Sequence, residues 1–297
     1  MSIESEAVKL LLRSSNVKWN FSSDFAMRHF VKNRRPILER NPRDYFGPEY
    51  DISRQVVDGF VVYQVCPAHE KPRRHILFLH GGAYVSVMKG VHWGFLRRLM
   101  RETPCQVTVP LYGLAPRYHY KDAYPLLDKV YQSLLQQHDP NDIVFMGDSC
   151  GGGLSLGFAQ TLAGRNLPQP GGLVLLSPWL DITLQNPAIR NIEPHDPVLA
   201  VPGNQEAGRM WAAGDNLCSP MLSPLYGELI GLAPILAMIG SCDILMPDVR
   251  VLYEKAQAQN HPFEYREYPG MFHIWMLSPI PEGRQAVREI AEFIRWD

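Results

Sequence analysis

The sequence predicts an α/β fold: a mostly parallel central sheet flanked by helices, with helical segments capping one end. Three observations predict it. Short apolar runs recur along the 297 residues, helix-like stripes lie between most of them, and one glycine-rich turn joins a strand to a helix. Continuous rather than alternating apolarity marks strands buried on both faces, and strand–helix alternation is what a parallel sheet requires.

The elements follow in order. Residues 1–50 read as helices that precede the sheet. Within them the run 27–36, MRHFVKNRRP, is locally basic and reads as a solvated helix face. The main α/β domain is expected over 51–297. Its strand candidates are FVVYQV, HILFLH, QVTVPLY, DIVFMG, GLVLLSP, PILAMIG and FEYREYP. Ala123, Leu126, Leu127, Val130, Leu134 and Leu135 form one helical stripe, and Val287, Ile290 and Phe293 or Ile294 form another in the last helix. The stretch 181–221 breaks the alternation. It is rich in Pro, Asn and Gly, with short apolar patches at 198–201 and 210–213. An insertion of this length usually carries function, so 181–221 and 1–50 are read together as a cap. A surface elaboration without a role at a site is the alternative.

Composition narrows the classes. With 46% hydrophobic and 20% charged residues the chain can bury a substantial core, as one large domain or two small ones. The 29 Lys plus Arg against 30 Asp plus Glu give a net charge of -1, which favours neither nucleic acid nor an anionic membrane as partner. The N-terminus lacks a signal-peptide layout, and LIGLAPILAMIG is interrupted by Pro234 and too short to span a bilayer. Cys66, Cys105, Cys150, Cys218 and Cys242 are scattered without metal-ligand spacing. Reduced thiols in a cytoplasmic protein, and no metal site, are the expectation.

The turn MGDSCGGG holds a serine and a cysteine side by side. Gly147-Asp148-Ser149-Cys150-Gly151 satisfies G-x-S-x-G between a strand and a helix, a sharp turn whose flanking positions must be small. Centring the rule on Cys150 would put Asp148 at a position too tight for it. Ser149 is therefore the candidate nucleophile, and Cys150 a small packing group whose backbone N–H faces the oxyanion. A P-loop would need Lys then Ser or Thr after the glycines, and a dinucleotide loop would need G-x-G-x-x-G. A trypsin-like protease would carry its histidine before its serine.

The order Ser, acid, His is available downstream. His273, in YPGMFHIW between FEYREYP and the last helix, is the histidine in the right place. GSCDILMPD offers Asp243 and Asp248 as acids. Asp248 follows Pro247 at a helix start and reads as a helix N-terminal charge, so Asp243 is preferred. His80-Gly81-Gly82-Ala83 ends a strand, where backbone N–H groups can meet a developing oxyanion.

These motifs make the chain resemble the hormone-sensitive-lipase-like (bacterial family IV) carboxylesterases of the α/β-hydrolase superfamily. The resemblance runs from about Val61 through HGGA, YGLAPRYHY, GDSCGG, LLSPWLD, SPLYGEL, GSCDIL and YPGMFH. It implies an α/β-hydrolase catalytic domain, Ser149 as nucleophile, His273 as base and Asp243 as its orienting acid. It also implies an oxyanion hole in the Gly81, Gly82, Ala83 turn and Cys150, with no metal or organic cofactor. Ala83 stands where the family has a third glycine and Cys150 where it has a small alanine. The donors are expected to survive the Ala83 methyl if its φ stays negative. Both replacements crowd the acyl pocket, and Tyr84, Met210 and Trp211 are candidates for its wall. The expected substrate is a small ester of a short acyl chain, taken by a chain that could form a homo-oligomer. Acetylated sugars or amides are the alternative substrates, and a non-catalytic ligand-binding scaffold is the remote alternative. No lid points to a lipase working at oil–water interfaces.

Overall fold

The computed structural model of the chain describes residues 1–15, 17–34 and 41–295. The last two residues of the basic run 27–36 lie outside the described residues. Among the described residues eight strands form one sheet: β1 (Tyr50–Val57), β2 (Phe60–Pro67), β3 (His75–Leu79), β4 (Gln106–Pro110), β5 (Ile143–Asp148), β6 (Gly172–Leu176), β7 (Ile235–Gly240) and β8 (Phe263–Tyr268). Their order is β1-β2-β4-β3-β5-β6-β7-β8, and only the β1–β2 and β2–β4 pairings are antiparallel. β3, β5, β6 and β7 are buried at every residue, as their continuous apolarity demands.

Alternate side chains of these strands feed two cores. Leu77, Phe145, Leu173 and Ala237 face one side with α4 (Tyr120–Leu135), α5 (Cys150–Gly164) and α8 (Met246–Ala258). Ile76, Val144, Val174 and Leu236 face the other with α3 (Gly90–Glu102) and α9 (Pro281–Ile294). No helix among the described residues is long and apolar enough to cross a membrane.

The sequence reading missed β1. This strand is mostly exposed and pairs only with β2, so it lacks the apolar signature of the others. Its signal was the Asp58-Gly59 turn, where φ is 51° and 83°, the pair of positive values a tight hairpin uses.

Before the sheet lie α1 (Ile3–Ser14) and α2 (Asp24–Asn33). Ser2 and Ser5 bond the Glu282 carboxylate at the start of α9, and Lys9 Nζ donates to the Gly270 carbonyl at 3.1 Å. These bonds hold α1 beside the loop after β8. α6 (Ile189–Ile192) and α7 (Val201–Ala212) belong to the 181–221 stretch. α2 packs on α7 through Arg28–Glu206 at 2.6 Å and Asp24–Arg209 at 2.6 Å.

Candidate active site

The turn from β5 to α5 is sharp. Ser149 sits at its tip with φ 54° and ψ -124°, a conformation that a side-chain-bearing residue adopts only when its surroundings force it. The forcing is visible. A Cβ on Gly151 would collide with the Leu79 carbonyl, and one on Gly147 with the Gly151 backbone. Ser149 N–H donates to the Leu176 carbonyl at 2.8 Å, and its own carbonyl accepts from Trp179 N at 2.9 Å.

Three buried side chains meet in a row. His273 Nε2 lies 3.0 Å from Ser149 Oγ, and His273 Nδ1 lies 2.8 Å from Asp243 Oδ2. A carboxylate only accepts, so Nδ1 carries the proton and Nε2 is left to accept from the hydroxyl. The other Asp243 oxygen takes the Leu245 N–H at 3.0 Å. Burial pushes the His273 pKa down, but the Asp243 charge and hydrogen bond outweigh it, and Asp196 and Asp148 add to them; the net shift is upward. Asp196 was not foreseen. Its carboxylate is buried and accepts from Val198 N at 2.8 Å, Leu199 N at 2.9 Å and Ile244 N at 2.9 Å, tying the 181–221 stretch to the Asp243 loop. Burial, then the neighbouring Asp243 charge, raise it to about 6.

The turn after β3 faces Ser149. Gly81 N–H donates to Asp148 Oδ1 at 2.9 Å, which removes Gly81 from the set of free donors. Asp148 in turn lies 3.3 Å from His92 Nε2. Burial opposes its charge, yet His92, the Gly81 N–H and His80 together hold it below the ordinary carboxylate range. Gly82, Ala83 and Tyr84 follow with φ of 130°, 52° and 61°. The expectation of a negative φ at Ala83 is therefore corrected: the loop needs left-handed backbone there, and the methyl group carries that strain. The Cys150 sulfur, fully buried, accepts from Tyr84 N at 3.3 Å and faces Ala83 N as well. Burial pushes its thiol up to about 12, so it is held neutral. Gly82 N–H and Cys150 N–H have no backbone acceptor among the described residues; Gly82 lines the cleft with Ser149, and Cys150 is the next residue of the chain.

Residues 76–277 match the family described by the alpha/beta hydrolase fold. An esterase of Acinetobacter venetianus is 35% identical over 222 residues, 73% of either chain. An acetyl-hydrolase of Streptomyces hygroscopicus is 30% identical over 234 residues, 78% of either chain. The crystal structure of an esterase from the bacterial hormone-sensitive lipase family superposes with a TM-score of 0.84 at 26% identity, covering 99% of this chain and 98% of that one. The chain belongs to the hormone-sensitive-lipase family of α/β-hydrolase esterases.

The cleft of this esterase over Ser149 and His273 has a volume of about 300 Å³. Its walls are mainly apolar: Val8 and Leu12 from α1, Val17 and Phe21 from the stretch between α1 and α2, and Val198 and Leu199 from the 181–221 stretch. Tyr84, Met210 and Trp211, read from the sequence as pocket wall, do not line it. Trp211 is fully buried and stacks on Tyr84 at 4.3 Å and 1°, behind the elbow; the Tyr84 hydroxyl donates to the Cys150 carbonyl at 3.0 Å. Size and apolarity mark a tryptophan as buried but not which way it points. Asp248, the rejected acid, sits in the first turn of α8, where Asn186 Nδ2 donates to its Oδ1 at 2.9 Å. Among the described residues no three His, Cys, Asp or Glu side chains are placed to hold a metal ion.

Proposed function

We propose that the esterase cleaves carboxylic esters of short acyl chains, with Ser149 as nucleophile, His273 as general base and Asp243 as the acid that orients it. The observation that carries this is the unbroken row Asp243–His273–Ser149, with contacts of 2.8 Å and 3.0 Å. His273 Nε2 takes the Ser149 proton as Oγ attacks the ester carbonyl. The tetrahedral oxyanion is received by the N–H groups of Gly82 and Cys150, with Ala83 beside them. His273 then protonates the leaving alcohol, and water activated by the same nitrogen releases the acid from the acyl-enzyme. Asp243 stabilises the imidazolium and keeps the tautomer.

The small cleft supports short acyl chains, and the likeness to an acetyl-hydrolase agrees with that size. We read residues 1–50 and 181–221 as the cap, because their side chains close the cleft that the strand ends leave open. The test is a panel of 4-nitrophenyl esters from acetyl to decanoyl, run on wild type and Ser149→Ala. Acetyl to butyryl esters should be preferred, and the variant should lose roughly 10⁴-fold or more of turnover while staying folded. Full activity in Ser149→Ala with loss in Cys150→Ala would overturn the assignment, and rates rising steadily through decanoyl would overturn the size limit.

A further inference from the structure

A second cavity of about 360 Å³, larger than the cleft, lies on the far side of the turn after β3. Its walls include Phe60, Met88, Leu111, Leu114 and Tyr118, and they carry two guanidinium groups, Arg34 and Arg117, with no Asp or Glu among the described residues. Neither guanidinium meets a carboxylate among the described residues: Arg34 donates to the Val85 carbonyl, and Arg117 lies 5.3 Å over the Tyr118 ring. In a chain of net charge -1, a concave apolar surface whose described charged groups are two cations favours a negative ligand.

The cavity shares its walls with the proposed oxyanion turn. Tyr112 lines it, donates its hydroxyl to the His80 carbonyl, stacks on the His80 ring at 4.5 Å and lies 3.8 Å from the Cys150 sulfur. The Val85 carbonyl that holds Arg34 ends the turn closed by Val85 N and Ser86 N on the Gly82 carbonyl, at 3.0 Å and 2.9 Å. Arg34 and Tyr112 thus hold backbone carbonyls on both sides of Gly82 and Ala83, at Val85 and at His80.

We propose that this cavity binds a small monocarboxylate with an apolar body, its carboxylate between Arg34 and Arg117, and that occupancy changes turnover through the oxyanion turn. Two sources supply such a ligand: the acid released by the esterase itself and an acid from elsewhere. Binding stands independently of the role of Ser149, because calorimetry reads it without turnover.

The probes are benzoate and hexanoate, with benzamide as the neutral control, titrated into wild type, Ser149→Ala, Arg117→Gln and Arg117→Lys. Benzoate should bind wild type and Ser149→Ala alike and change kcat rather than KM. Arg117→Gln should weaken binding by roughly tenfold or more, with Arg117→Lys between the two, since a lysine keeps the charge but not the paired donors. Without benzoate, Arg117→Gln should melt and turn over like wild type, because Arg117 is exposed and outside the cleft. Equal binding of benzamide, purely competitive inhibition untouched by Arg117→Gln, or no heat from either acid would overturn the proposal. Progress curves on a benzoyl ester separate the two sources: slowing that follows released benzoate marks product feedback, and inhibition by hexanoate alone marks an outside acid.

Discussion

Asp248→Asn should stabilise the esterase, and do so more at pH 8 than at pH 5. The Asp248 carboxyl is buried at 1% exposure, with one hydrogen bond from Asn186 to Oδ1 and no partner for Oδ2 among the described residues. Burial first, then the Asp181 charge, raise it from 3.8 to about 7, against the Asn186 bond. At about 1.4 kcal/mol for each pH unit, ionising it in place costs roughly 4 kcal/mol. The sign follows from linkage. A carboxyl raised in the folded state leaves stability intact below its unfolded pKa near 3.8 and removes it as pH climbs towards 7. Roughly 1.5 kcal/mol is gone at pH 5 and the whole of it by pH 8. Asparagine keeps an oxygen for Asn186 and never ionises, so the variant escapes the loss. Urea unfolding at 25 °C, wild type against variant at both pH values, should show its advantage growing by roughly 2.5 kcal/mol between them. Asp196 has the same sign but is present in both proteins and cancels. An advantage that is flat with pH, or a variant less stable at pH 8, would refute the reasoning.

Three further outcomes are expected. Asp243→Asn should lower kcat by roughly 10⁴-fold by favouring the wrong His273 tautomer, while Asp248→Asn stays within a few-fold of wild type; the reverse ranking would make Asp248 the acid. Asp196→Asn should move the acid limb of kcat/KM to lower pH. The base works only when neutral, and removing a nearby anion lets its raised pKa fall, so a limb that stays put or rises counts against Asp196 facing His273. Leu199→Ala should raise octanoyl over butyryl kcat/KM by roughly tenfold, whereas Trp211→Ala should leave that ratio alone and cost about 3–5 kcal/mol of stability. An altered chain-length profile in Trp211→Ala would return Trp211 to the pocket wall.

What could be read in advance followed from how local each signal was. The central strands announce themselves because burial on both faces demands continuous apolarity, and the G-x-S-x-G turn because a sharp strand-to-helix turn requires small residues two before and two after the serine. The structure brings Ser149, Asp243 and His273 together from three separate strand ends; the turn motif and chain order proposed the serine and the histidine, and the helix-start position of Asp248 chose between the two aspartates. The cleft walls were not legible. Val8 and Leu12 line the cleft beside Ser149 on a helix held in place by bonds such as those of Ser2 and Ser5 to Glu282, some 280 residues away, contacts no periodicity encodes. His92 and Asp196 were passed over for the same reason, since each matters through a carboxylate or loop distant in sequence. Ala83 failed differently: its residue type argued for negative φ, and the tertiary turn overrode that preference.

The elbow and the turn after β3 are fastened to one another by three hydrogen bonds. Asp148, one residue before the proposed nucleophile, holds Gly81; Cys150, one residue after it, holds Tyr84 by the sulfur and takes the Tyr84 hydroxyl on its carbonyl. Each bond joins a neighbour of Ser149 to a neighbour of the proposed oxyanion donors, so the distance between nucleophile and donors is set by buried groups that touch neither substrate nor proton. An oxyanion is stabilised only by donors already in place when its charge develops. The serine-flanking residues are therefore constrained for a reason separate from the tight turn. A buried sulfur at 150, neutral and engaged by two backbone N–H groups, serves this fastening better than it could serve as a rival nucleophile. Because the fastening selects no acyl group while Leu12, Phe21 and Leu199 of the proposed cap line the cleft, substitutions at 148 and 150 should act on kcat across all esters. Substitutions in the cap should redistribute kcat/KM among them.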